Sequence, residues 1–203
     1  MYCHSSEVEL LHEEVLPTFP VACPEKLLSE VEFLPFKMAY CRQCHFGFNA
    51  RPLPTEKLQR IYEFGREVQP QNGVGVSLMS GFVEFCNDRL EAGTAATLVT
   101  HSENSDFQSF KEIDPIFSQL SQEVVNPLGK EIPLPTDTPA ILGMHLLEHI
   151  KNLKGFFHEL SKQEDLQFIM EVPHFESFHH EHLNFINAPF LHRACRDHDL
   201  KLT

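Results

Sequence analysis

The sequence predicts an α/β chain: a Rossmann-like, doubly wound parallel sheet preceded by a small cysteine knuckle. Three observations carry this. Short apolar runs at 95–100, 140–144 and 167–172 alternate with segments of helical periodicity. The run Ala140-Ile141-Leu142-Gly143-Met144 is apolar throughout, as strands buried on both faces of a parallel sheet are. Near the start, Tyr40-Cys41-Arg42-Gln43-Cys44-His45 sets two thiols at Cys-x-x-Cys spacing.

Taken in order, residues 1–55 read as a zinc-binding unit and 56–203 as the α/β domain. The stretch 55–66 opens with a Thr cap followed by Glu56, a helix start. A second helix is predicted over 76–90, where Val76, Met79, Val83, Cys86 and Leu90 recur at three- and four-residue steps. Residues 95–100 are the first sheet strand, 107–113 a helix and 117–125 a second strand. The prolines between 126 and 139 predict irregular chain before the 140–144 strand. A helix within 150–163 turns Leu153, Phe156, Phe157 and Leu160 toward the sheet, and the 167–172 strand follows. Residues 188–197 make a last helix, and Leu200-Lys201-Leu202 begin a strand.

Composition narrows the function. Of 203 residues, 42% are hydrophobic, enough for a packed core. A net charge of −13 excludes broad nucleic-acid binding, which needs cations to displace phosphate counterions. No apolar run reaches membrane-spanning length, and MYCHSSEVELL lacks the basic and then apolar regions of a secretory signal. A cytoplasmic protein is expected, with its six cysteines as free thiols or ligands and not a disulfide framework.

Two stretches carry chemistry. A Cys-x-x-Cys turn places Cys41 and Cys44 on one face of a knuckle, where a tetrahedral zinc ion takes both. Cys3 is the expected third ligand, and His4, His12 and Cys23 compete for the fourth. The densest cluster is His179-His180-Glu181-His182-Leu183-Asn184-Phe185, just past the 167–172 strand. Open α/β sheets place their sites at the carboxyl ends of strands.

The segment ILGMHLLEHIKNLKGFFHEL, followed by LQFIMEVP and HHEHLNFI, resembles the class I S-adenosylmethionine-dependent methyltransferases. With the knuckle and the step Tyr62-Glu63-Phe64, it is similar to the sugar C-methyltransferases that carry an N-terminal zinc-binding domain. Their Tyr-His-Glu-His-(Phe/Leu)-x-(Tyr/Phe) motif reads here as His179 to Phe185, with His179 in place of the tyrosine. The likeness is most specific over 141–186 and 38–48. These enzymes carry a further C-terminal domain beyond the point matching the end of this sequence. The resemblance implies a methyltransferase sheet and a small-molecule acceptor, a nucleotide-linked keto-sugar. It implies His182 as the base, with Glu181 orienting it and Tyr62 contacting substrate. It places S-adenosylmethionine against His101, Ser102, Ser105, Glu123 and His145, and zinc on Cys3, Cys41 and Cys44. The sequence departs from the family at the cofactor loop. His101 and Ser105 stand where glycines are expected, Val99 stands for an acid, and no glycine occurs between Gly93 and Gly129.

Three other readings stay open. The fold could persist without turnover, as a scaffold or binding protein. His145-Leu146-Leu147-Glu148-His149 spells the inverted zinc-protease motif, which requires a helix. In a strand, His180 and His182 would share a face and could pair on a metal, whereas His179 would need a turn to join them.

Overall fold

A computed structural model of the chain describes residues 2–3, 5–18, 25–68, 73–92, 94–100, 120–129 and 131–202. In chain order the strands are β1 (Val8–Pro17), β2 (Phe33–Cys41), β3 (Phe46–Asn49), β4 (Ala96–Thr100), β5 (Ser121–Val124), β6 (Ala140–Met144), β7 (Gln167–Glu171) and β8 (Asn184–Phe185). The helices are α1 (Thr55–Val68), α2 (Gly73–Asn87), α3 (Leu153–Leu160) and α4 (Ala188–Asp197). The helix expected over 107–113 lies outside the described residues, as does the beginning of the strand expected at 117.

The apolar runs become a parallel sheet of order β5-β4-β6-β7. The chain leaves β4 on one side to make β5 and returns on the other to make β6, so the order reverses between β4 and β6. Neighbouring residues of β4 and β6 point to opposite faces, as the two-residue period of a strand requires. Leu98 and Leu142 pack with Phe82, Val83 and Cys86 of α2. Val99 and Ile141 pack on the other face with Leu153, Phe156, Phe157 and Leu160 of α3. This is the mixed α/β architecture that the alternating pattern predicts.

Both helices after β6 begin on an asparagine cap. Asn152 Oδ1 accepts from Gly155 N at 3.1 Å and Asn187 Oδ1 from Phe190 N at 2.9 Å, satisfying donors that a first turn leaves without helical partners. Residues 200–202 form no strand. Asp199 turns to φ 55° and the Leu200 N–H closes back on the Cys195 carbonyl at 2.8 Å, so Leu200 terminates α4.

A second, antiparallel sheet has the order β1-β2-β3-β8. Its first three strands come from the N-terminal residues, and its fourth is lent by residues 184–185. The two sheets share a core. Cys41, Cys44 and Phe46 lie in one buried cluster with Ile141, Leu147, Phe157 and Phe190. Tyr2 seals it, edge-on to Phe190 with ring centres 4.9 Å apart.

Where β3 meets β8, Gly47 faces Phe185 in register. A Cβ at position 47 would lie 2.9 Å from Phe175 Cε2 and 3.0 Å from the Phe185 carbonyl oxygen. The main chain of β8 therefore approaches too closely for any side chain. Gly47→Ala is expected to lower unfolding free energy by about 1–3 kcal/mol, the usual cost of overpacking, as read from the denaturation midpoint. An unchanged midpoint would mean that β8 is not held against β3.

Candidate functional site

β6 and β7 end side by side, and the chain beyond each carries the titratable groups. After Met144 the backbone turns through His145 at φ 47°, a left-handed conformation uncommon outside glycine. Leu147 to His149 form a turn, not a helix. The string 145–149 therefore lacks the helix on which the protease reading depends. From β7 the chain runs through Pro173 to a turn at His180 and Glu181, then into β8.

Two sets of bonds clamp these segments together. The Glu148 carbonyl accepts from Leu183 N at 2.7 Å and from Asn184 N at 3.0 Å. Asn184 Nδ2 donates to the Leu147 and Ile150 carbonyls, both at 2.7 Å. The clamp brings His149 and His182 together, with ring centres 5.2 Å apart and planes at 76°. Both are buried, at 3% and 6% exposure.

Each ring is fixed through Nδ1 to a main-chain carbonyl. His182 donates to Ser177 O at 2.9 Å and His149 to Glu181 O at 3.2 Å. Tyr62, buried on α1, brings its hydroxyl within 3.4 Å of both Glu181 O and His149 Nδ1. Tyr62, Glu181 and His182 thus meet around His149. Glu181 takes part through its main chain, while the Ser177 carbonyl orients His182. Glu148, 1% exposed, lies beneath. Its Oε1 is 3.2 Å from His145 Nδ1 and 3.8 Å from His149 Nε2.

Burial sets the charges. It pushes the Glu181 carboxyl up to about 7, assisted by the nearby Glu148 and opposed by His145. Burial, then the charges of Glu181 and Glu148, raise the Tyr62 phenol and keep it a neutral donor. The hydrogen bond to Glu148 raises His145 against its desolvation. Burial lowers His179.

The turn at 180–181 sends the three histidines of the motif to different places. His180 Nε2 reaches the Leu16 and Leu34 carbonyls of the antiparallel sheet, both at 3.3 Å. His179 stays beside His182, with ring centres 5.0 Å apart. The strand geometry that would pair His180 with His182 is absent here, because the segment turns.

Of the residues expected to hold a cofactor, His101, Ser102 and Ser105 lie outside the described residues. Glu123 is half-buried in β5, opposite Val99 of β4. His145 follows β6 and faces Glu148. Glu148 and His149 entered the sequence reading only through the protease motif, and the family resemblance gave them no role. Their place immediately beyond a fully buried parallel strand was the signal for them.

The three cysteines expected as ligands converge. Cys3 Sγ lies 3.4 Å from Cys41 Sγ and 3.1 Å from Cys44 Sγ. Burial raises both knuckle thiols. At Cys41 the bonds from Cys44 N–H and the Cys3 thiol outweigh it and leave the group lowered. At Cys44 its thiol neighbours add to burial and push it up to about 12. His12 sits elsewhere, on β1, stacked on Phe178 and 2.9 Å from Glu14. His4 and Cys23 lie outside the described residues. Among the described residues, two groups have ligand atoms close enough to hold a metal ion: Cys3, Cys41 and Cys44, and Glu148, His149 and His182.

No helix among the described residues is long and apolar enough to cross a membrane. Comparison with known proteins finds no family model that matches the chain and no similar curated protein.

Two outcomes follow from this geometry. Asn184→Ala leaves the Leu147 and Ile150 carbonyls buried without their donor, and is expected to cost about 2–4 kcal/mol in chemical denaturation. A cost near zero would show that the clamp is not needed. The Glu181 carboxyl binds its proton more tightly folded than unfolded. Its stability contribution is therefore full below its ordinary value of 4.5 and is lost as pH rises through about 7. Glu181→Gln should flatten that part of the stability–pH curve, and an unaltered curve would exclude the assignment.

Proposed function

We propose that the chain is an S-adenosylmethionine-dependent methyltransferase-like protein. Its buried histidine site would take a proton from carbon beside a ketone, the acceptor being a keto-sugar carried on a nucleotide. The observation that carries the reading is the setting of His182. It follows β7 and is held against the turn after β6, beyond the carboxyl ends of these strands, the end of the sheet at which open parallel sheets bind their ligands.

The chemistry of the neighbours supports it. The Ser177 carbonyl takes the Nδ1–H of His182, which puts the lone pair of the neutral ring on Nε2. Imidazole titrates near neutrality, as a general base for such a proton must. The C–H bond breaks, its electron pair passes into the enolate, and the proton goes to Nε2. Tyr62, held neutral by burial, is a hydrogen-bond donor beside the site, suited to a developing oxyanion. Glu123 and His145 flank the reversal point on its two sides, as the cofactor contacts of such a sheet would. When bound, the cofactor supplies an electrophilic methyl group. The cysteine trio would hold zinc in a structural role, since a tetrahedral site with Zn–S of about 2.3 Å sets its sulfurs about 3.8 Å apart, within a small shift of those here. The glycine-free loop after β4 favours a second reading, a non-catalytic binding protein of the same ancestry.

Two measurements test the proposal. Titration calorimetry is expected to show S-adenosylmethionine binding. Wild-type protein should exchange the carbon-bound proton beside the ketone of a nucleotide-linked keto-sugar with deuterated solvent. His182→Asn should slow that exchange by about 10²–10⁴-fold, the usual worth of a general base. Neither binding nor exchange would leave the non-catalytic reading; exchange untouched in His182→Asn would remove His182 as the base.

A further inference from the structure

We infer that Glu148, His149 and His182 form a second metal site, for one divalent transition-metal ion of the zinc class, separate from the cysteine trio. One ligand atom from each residue lies within 4.8 Å of the others, and all three residues are buried. The ring orientations are those of a ligand set. His182 Nδ1 donates to Ser177 O at 2.9 Å and His149 Nδ1 to Glu181 O at 3.2 Å. A carbonyl only accepts, so both rings carry their lone pair on Nε2. Histidine ligands of metals are commonly fixed in this way, through the other nitrogen.

The carboxylate supplies the independent observation. Among the described residues, Glu148 Oε2 is buried without a hydrogen-bond partner, on a residue 1% exposed. Leaving such an oxygen unsatisfied is costly, and a cation at the point where the three groups converge removes the cost. Two imidazoles and one carboxylate suit zinc and its first-row neighbours. They do not suit calcium or magnesium, which take mainly oxygen ligands. Three protein ligands also leave a position for water or a substrate oxygen.

This site overlaps the proposed base but does not rest on its chemistry. A metal on His182 Nε2 takes the lone pair that proton removal would use, so metal-loaded and proton-abstracting forms exclude each other.

Cobalt titration of the chelator-stripped full chain tests the inference, because thiolate ligands give a charge-transfer band that nitrogen and oxygen ligands do not. Wild-type protein is expected to bind about one equivalent that appears in the visible bands without adding to the thiolate band. Glu148→Gln keeps the side-chain shape and should lose that equivalent while retaining the thiolate band and the circular dichroism spectrum. His149→Gln provides a second variant with the same expectation, should Glu148→Gln fold poorly. Cys41→Ser should show the reverse, losing the thiolate band and keeping the other equivalent. A wild-type chain whose bound cobalt is all thiolate-ligated would overturn the inference, as would an equivalent that survives in both site variants. The base reading fails separately. With exchange measured on the chelator-stripped protein, a normal second equivalent with no deuterium exchange counts against the base alone, and full exchange without that equivalent counts against the metal alone.

Discussion

Asn184 is the joint on which the site depends. Its backbone lies in β8 opposite Phe48, so it belongs to the antiparallel sheet. Its side chain caps the Leu147 and Ile150 carbonyls, which follow β6 of the parallel sheet. Leu147 and Ile150 are both fully buried, so no bulk water reaches the turn between them. A non-helical turn at that depth must find outside donors for its carbonyls, and one amide supplies two of them. His149 lies within the turn and His182 two residues before Asn184, so the bond that satisfies the backbone also brings the two rings together.

The second constraint is charge. Glu181 lies in an interior that desolvates it, and the nearby Glu148 adds to the cost of ionising it. The result at Glu181 is a carboxyl that holds its proton to about 7. Tyr62 is protonated for a similar reason. A buried pocket that raises the Glu181 carboxyl and the Tyr62 phenol offers hydrogen-bond donors, which suits an anion that forms within it. Among the described residues the same pocket leaves one oxygen of Glu148 without a partner, which suits a cation.

Much of this was legible in sequence where local pattern governs. The β6 run and the α3 stripe of Leu153, Phe156, Phe157 and Leu160 are short-range features, and the observed elements follow them. β1 is different. It carries Glu9, Glu13 and Glu14 among its apolar residues, and a register shift between Leu10 and His12 breaks the two-residue alternation by which a strand is recognised. β8 is two residues long and has no pattern to read. The pairing of Cys41 with Cys44 follows from spacing, and Cys3 was expected beside them as the third ligand of a thiol site. The convergence of His149 with His182 follows from His145 at positive φ and from the Asn184 clamp, one a backbone conformation that histidine does not announce and the other a contact across 37 residues.

The knuckle is part of the site's support and not an appendage to it. Cys41, Cys44 and Phe46 share a core with Leu146, Leu147 and Ile150, the apolar side of the turn that holds Glu148 and His149. Close-packed interiors transmit small displacements, because a shifted side chain has few voids to move into. Whatever orders the cysteine turn, a metal ion above all, therefore fixes one wall of the histidine pocket. This packing gives a physical reason for an antiparallel sheet at the head of the chain to close its last strand with residues 184–185. The strand that completes the knuckle sheet also carries the clamp, so the cysteine turn and the buried histidines are built as a single unit.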